Sequence, residues 1–396
     1  MSNMNYGGRK AIWIICGAVV LWTLGAHAAV VPPDPDNAAL VYYQALLLRP
    51  ESDTSVYVML WDVLRGGEPD QQVRQYLRDC QKMLELAEAA AQIPHCNWGI
   101  RYSQGHGLSS QLMVELRSLA HLLYTDARLV AADGDYRTAL GRCLTIRRLA
   151  AHIGDDTQLT YALSLAIDGI AGLGIRDVLG SMPPDAHTLT WLQGQLAAVR
   201  GAPRSPARAL EMDFAIVLEA MRTDTDFLAW FRDQLAENAE DPAEVQNLTD
   251  EELLAPAQER YANFLNSALR VMDGEMPYEQ KYAELEALTD RLWEESRSDW
   301  AAIILALRCG HMLADCYGGQ VLQAAGSNAL KAAIEIYLAM AETGQLPDTL
   351  PDHLPKDPFS GEDFEYQTTD DGFLLRCRVK AVNAPRVEQY EFRVQR

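Results

Sequence analysis

Positive charge is scarce in this chain. Its 396 residues hold 34 Lys and Arg against 55 Asp and Glu, a net charge of −21. That balance disfavours nucleic acid or anionic headgroups as the main partner, because like charge opposes their approach. Catalytic signatures are missing too: there is no HExxH, GxSxG, phosphate loop or GxGxxG. The cysteines form no CxxC and no zinc spacing. The expectation is therefore no metal, no cofactor and no catalytic residue. Apolar material is ample: 48% of residues are hydrophobic and 22% charged, which is globular composition. The length admits two to three domains or one extended helical array.

The one long apolar run lies at the amino terminus. Arg9 and Lys10 precede Ala11 to Leu24, followed by Gly25-Ala26-His27-Ala28-Ala29. A basic start, an apolar stretch and small residues before a cut after Ala28 make an export signal. Extended to Val31, the same stretch is long enough to span a hydrocarbon core of ~30 Å uncut, with Arg9 and Lys10 on the cytoplasmic side. Residues 1–31 are thus a signal peptide or a membrane anchor. Both readings put the remainder outside the cytoplasm, either free or anchored by residues 11–31.

Cys16 lies in that segment. Cys80, Cys96, Cys143, Cys309, Cys316 and Cys377 make an even set, compatible with disulfides in an oxidising space. Cys309 and Cys316 are about 10 Å apart along a helix, too far to pair with each other. Buried free thiols are the favoured reading.

Helical periodicity dominates residues 32–325. Asp36 caps a segment that stops at Pro50, a second ends at Gly66-Gly67, and a third runs from Pro69 to about Gln92. Leu112, Leu116, Leu119, Leu123, Ala127 and Val130 form a stripe at three- and four-residue steps. Asp133-Gly134-Asp135 turns the chain into a second stripe through Ala139, Cys143, Ile146, Ala150 and Ile153. Asp155 and Gln158 are spaced as a capping box, and Leu159 to Leu179 reads as a central buried helix. Pro183-Pro184 and Ser205-Pro206 open further helices. Asp233 to Glu259 holds nine acids and no Lys or Arg. It reads as a helix end, a solvated loop and a short helix capped by Thr249, with Pro242 and Pro256 as interruptions. Later helices are expected over 257–273, 277–297, 299–324 and 328–343.

From residue 357 the period changes to two. Asp357 to Gly361 is a turn, and Asp370-Asp371-Gly372 is a hairpin signal. Phe373, Leu375, Cys377 and Val379 face away from Arg376, Arg378 and Lys380, and Tyr390, Phe392 and Val394 repeat the alternation. The expected fold class is mainly α: an antiparallel bundle or short repeat-like α-solenoid, followed over 326–396 by a helix and a three-stranded antiparallel meander. The meander is expected to pack on Ala329, Ala333, Ile336 and Met340.

Leu123 to Ala151, with Gly134-Asp135-Tyr136 and Ala139, resembles one tetratricopeptide-type hairpin, although no 34-residue period extends it. NAALVYYQALLL (37–48), HCNWGIRYSQG (95–105), LRSLAHLLYTDARLVAADGDYRTAL (116–140) and LAAHIGDDTQL (149–159) resemble an uncharacterised exported α-helical family of planctomycete-type bacteria. The resemblance implies an exported helical protein and no activity. Residues 331–376, a helix followed by LPDTLPDHLPKDPFSGEDFEY and a hairpin, resemble the C-terminal part of type II secretion major pseudopilins. The pilin helix does not precede this stretch, and LLRCRVK replaces a calcium loop, so neither calcium binding nor polymerisation is implied. A detached folding or docking module is.

The densest polar and aromatic cluster is the loop 93–109, with His95, Cys96, Trp98, Arg101, Tyr102 and His106. Loops on rigid helices are where binding residues gather. Trp98 and Tyr102 suit stacking on a ligand and Arg101 suits holding an anion. His95, Cys96 and His106 together are a conceivable metal triad with no known cage spacing. The favoured alternative is that Trp98 and Tyr102 plug the loop onto the bundle. His121 reads as a core histidine. The leading functional expectation is a non-enzymatic extracytoplasmic scaffold with protein partners in the cell envelope. The rival is a small-ligand binder or enzyme centred on this loop. Perturbed ionisable groups around a deep pocket beside Trp98 would favour the rival, and a flat loop with Trp98 buried the scaffold.

Overall fold

The computed structural model describes residues 34–51, 54–102, 108–154, 156–199, 205–238, 242–296, 312–351, 353–382 and 384–395. The expected export segment, Cys16, His106, Asp155, Cys309 and the stretch 299–311 lie outside them. Fourteen helices and one three-stranded antiparallel sheet are present among the described residues. The mainly α class with a C-terminal meander is therefore observed.

The first four helices are short, and side chains cap two of them. In α1 (Ala38–Leu47) the Asn37 side chain accepts from the Ala39 amide. α2 (Thr54–Leu64) follows. Asp70 caps α3 (Gln71–Asp79), and α4 (Gln81–Gln92) continues after a one-residue break at Cys80. The single helix expected from Pro69 to Gln92 is thus two. The Cys80 amide still bonds back to Tyr76 and Leu77, so the break redirects the chain with no buried amide left open.

Three long helices carry the molecule: α5 (Ser110–Ala132), α6 (Tyr136–Ile153) and α7 (Gln158–Ser181). Gly134, at φ +86°, makes the α5–α6 turn, and Asp135 caps α6. α7 begins with a capping box of Thr157 and Thr160, so the cap lies two residues beyond Asp155. Close approach is permitted by Gly174, where a Cβ would stand 2.8 Å from the Cys143 sulfur. The buried Arg142 guanidinium ties α6 to Asp126 of α5 at 2.8 Å and also pairs with Glu88 of α4. Each of the three helices contributes to two cores. One contains Leu119, Leu123, Ile146, Leu149 and Ile167 with α1–α4. The other contains Leu140, Leu144, Ile175 and Val178 with the C-terminal half.

The chain then adds α8 (Ala186–Ala198), α9 (Pro206–Thr223), α10 (Thr225–Asn238), α11 (Pro242–Asn247), α12 (Asp250–Asp273), α13 (Tyr278–Glu295) and α14 (Leu313–Thr343). Two expectations are corrected here. The helix capped by Thr249 and Glu252 is 24 residues long and runs through Pro256. Proline removes one backbone donor, and the burial of Leu253, Leu254 and Ala257 around it keeps the helix intact. α14 is likewise continuous across Gly326-Ser327, where a break was expected. Ser327 there accepts a 3.1 Å bond from Arg147 of α6. The described residues of the acidic stretch are mostly helical, lying in α10, α11 and α12, and Arg232 is bonded to the Val245 carbonyl and paired with Asp250 at 2.7 Å.

The sheet order is β1 (Glu365–Thr369), β2 (Gly372–Arg376), β3 (Gln389–Arg393), with Thr369 opposite Gly372 and Phe373 opposite Phe392. Phe373, Leu375 and Phe392 pack with Ala329, Ala333, Ile336 and Tyr337 of α14, and β3 also reaches α7. The fully buried Asp357 builds the preceding turn, accepting from the Phe359 and Arg378 amides and the Ser360 hydroxyl. The five described cysteines are free thiols. From Asn37 onward the chain forms one compact unit.

Candidate functional site

The loop from Ile93 to Tyr102 leaves α4 and is held from both sides. On one side is the start of α1. The Ala38 amide donates to the His95 carbonyl at 2.8 Å, and Asn37 exchanges two bonds with the Asn97 backbone. On the other side is the end of α6. The Trp98 indole N–H donates to the His152 carbonyl at 2.8 Å, and the Tyr102 hydroxyl donates to Asp156 at 2.6 Å.

Trp98 is only 8% exposed. Its ring stacks on Tyr42 at 5.6 Å and meets the edge of Tyr43 at 5.8 Å, while the Tyr43 hydroxyl donates to the Trp98 carbonyl. The indole N–H and one stacking face are thus engaged by the protein itself. Tyr102 is likewise tied down.

Beside this plug lies a cavity of about 670 Å³. Its walls include His95, Tyr102, Arg148, His152 and Asp156. The sequence placed His95, Trp98 and Tyr102 together, and all three border this space. Arg101 is exposed and does not, and His106 lies outside the described residues. Sequence reasoning missed Arg148 and His152. They stand four residues apart on α6, a spacing that puts both on one face, but nothing in the sequence ties that face to a loop fifty residues upstream.

Burial governs the electrostatics. It drives the His152 imidazole down to about 4, opposed by a bond to the Ile93 backbone. It drives the Cys96 thiol up to about 12. The Tyr102 phenol is also raised, first by burial and then by Asp156. The Arg148 guanidinium, lowered by burial, donates to Gln195 of α8 at 2.9 Å. At neutral pH the cavity holds a neutral imidazole that resists protonation, a thiol and a phenol. None is a thiolate nucleophile or an acid and base poised near 7. Such walls bind through shape, one guanidinium and hydrogen bonds.

Among the described residues no group of three or more His, Cys, Asp or Glu is arranged to hold a metal ion. No helix among them is long and apolar enough to cross a membrane. No protein-family model, curated protein or solved structure matches this chain.

Proposed function

We propose that the protein is a non-enzymatic helical scaffold that acts outside the cytoplasm and meets protein partners in the cell envelope. The observation that carries this reading is the state of the loop. Its aromatic side chains clamp α1 to α6, and burial raises the Cys96 thiol and lowers the adjoining His152 imidazole. The extracytoplasmic placement rests on residues 1–31 of the sequence. The proposal includes association with an envelope or secretion assembly, on the resemblance of residues 331–376 to the C-terminal part of type II secretion major pseudopilins.

A second reading, a small-ligand site, is favoured by the 670 Å³ cavity with Arg148 in its wall and by the shifted ionisable groups Cys96, Tyr102 and His152 around it. Its size falls within the roughly 300–1,000 Å³ of small-molecule sites.

Crosslinking the full chain in native envelopes separates the two. The scaffold reading expects one partner in near-stoichiometric yield, recovered equally by a Trp98→Phe chain that keeps the ring stack. No partner above an untagged control overturns it. A small molecule that then co-purifies with the intact chain but not with Arg148→Gln establishes the second reading.

A further inference from the structure

Three helices end at the cavity beside Trp98. Its walls take in Gln92 and Ile93 at the end of α4, Ile153 and Gly154 at the end of α6, and Ala198 and Val199 at the end of α8. The C-terminus of a helix carries about half a negative charge, from carbonyls that no further turn caps. A basic side chain in the last turn commonly answers it. The last turns of α4 and α8 have none, and that of α6 has only His152, which burial keeps neutral. The Trp98 N–H takes the His152 carbonyl, and His152 bonds to the Ile93 backbone, but both are neutral groups. Three negative ends thus border one space with no cation in their last turns.

The charged side chains add a second feature. Among the described walls Arg148 is the one guanidinium and Asp156 the one carboxylate. Arg148 stands about 9 Å along the axis of α6 from Gly154, and Asp156 lies just beyond that helix. Among the described residues the two do not pair with each other, and neither pairs with another ion. Their contacts are with neutral groups: Arg148 donates to Gln195 at 2.9 Å, and Asp156 accepts from Tyr102 at 2.6 Å. Arg49, Arg128, Arg142, Arg147 and Arg232 are also largely withdrawn from solvent, and each of them holds a carboxylate. Withdrawing a charge from water without a counterion is costly, and burial accordingly lowers the Arg148 pKa. One positive and one negative wall therefore border the same space from separate positions, each without its counterion.

We infer that the cavity binds a small zwitterion of the α-amino-acid class, its carboxylate on the Arg148 guanidinium and its ammonium on Asp156 and the helix ends. A lone anion would meet Asp156 and three negative helix ends, and a lone cation would meet Arg148. A ligand that carries both charges answers each wall with its opposite. Ile93, Ile100 and Val199 give its side chain an apolar wall, and about 670 Å³ leaves room for it. The inference rests on the small-ligand reading of this cavity.

Calorimetric titration of the common α-amino acids into the full chain, dialysed free of small molecules, tests this. At least one is expected to bind saturably, one molecule per chain. Its N-acetyl derivative lacks the ammonium and its amide lacks the carboxylate, and each is expected to bind about tenfold more weakly. Asp156→Asn, which keeps an acceptor for Tyr102, is expected to bind the free and N-acetyl forms alike. Arg148→Gln is expected to bind the free and amide forms alike. The derivatives are compared on the parent chain, so the test decides even where a substitution disturbs the loop. The proposal is overturned if no free amino acid binds saturably, if either blocked form binds like the free one, or if both variants keep the parent's discrimination. A blocked form that binds as tightly as the free one removes the zwitterion and keeps the small-ligand reading. That reading fails separately, if neither free nor blocked forms bind and no small molecule co-purifies with the chain.

Discussion

His121 is 5% exposed, and its Nε2 has no hydrogen-bond partner. The Trp61 ring meets its edge at 4.6 Å. Burial, helped by Arg117, moves its pKa down from 6.5 to about 4. The unfolded chain therefore takes up the proton first as pH falls. Stability from this residue is complete above about pH 6.5 and is lost between there and about 4. The drop in thermal midpoint from pH 7.5 to 5 is expected to shrink in His121→Leu, and an equal drop in both chains refutes it. The sequence already marked His121 as a core histidine, because it sits in an apolar stripe. Trp98 was less legible. Its neighbours His95, Arg101 and His106 made it look like a ligand platform as readily as a plug. The choice depended on Tyr42 and Tyr43, more than fifty residues away, one stacking on the indole and the other packing perpendicular to it. The cavity beside it and the shifted groups Cys96, Tyr102 and His152 in its walls meet the conditions for a ligand site, and the buried Trp98 meets one for a scaffold.

Elements follow local chemistry wherever that chemistry is strong. Thr249 and Glu252 form the expected capping box, and Gly134 makes the turn that Asp133-Gly134-Asp135 signals. Gly134 needs its left-handed φ of +86°, so Gly134→Ala is expected to cost about 1–2 kcal/mol in urea unfolding. Gly141, inside α6 with open space at its Cβ, is the control: Gly141→Ala is expected to be neutral or to stabilise by up to about 1 kcal/mol. Equal effects at the two sites would refute the assignment of the turn. The readings at Pro256 and Gly326-Ser327 failed for one shared reason. A helix breaker weighs about 1–3 kcal/mol, and the apolar side chains buried on either side of it outweigh that.

At the scale of the molecule, α5, α6 and α7 each place one end in each core. Ile167 and Ile170 lie with α1–α4, whereas Ile175, Val178 and Leu179 lie with the sheet. The meander's Phe373 stacks on Phe392 at 5.1 Å and meets the edge of Tyr337 at 5.5 Å. Phe373→Ala is therefore expected to destabilise the chain by about 3–5 kcal/mol. Because the three helices join both cores, hydrogen exchange should show that loss at Leu119 to Leu123 of α5 as well as in β2. Unchanged protection in α5 would mean that the sheet opens by itself.

The sequence by itself determined the class of the fold. Apolar steps of three and four specify helices, alternation after residue 357 specifies strands, and caps and turn glycines specify where many of them begin and end. All of these act within about a dozen residues, so they can be read along one line. Tertiary structure alone decided what the side chains are for. Whether Trp98 stacks on a ligand or on Tyr42, whether α14 bends at Gly326, and which glycines face another helix rather than open space depend on atoms far apart in the chain. Burial then sets the charge states of His121, His152 and Cys96, because desolvation depends on everything packed around a group and on nothing in its immediate sequence.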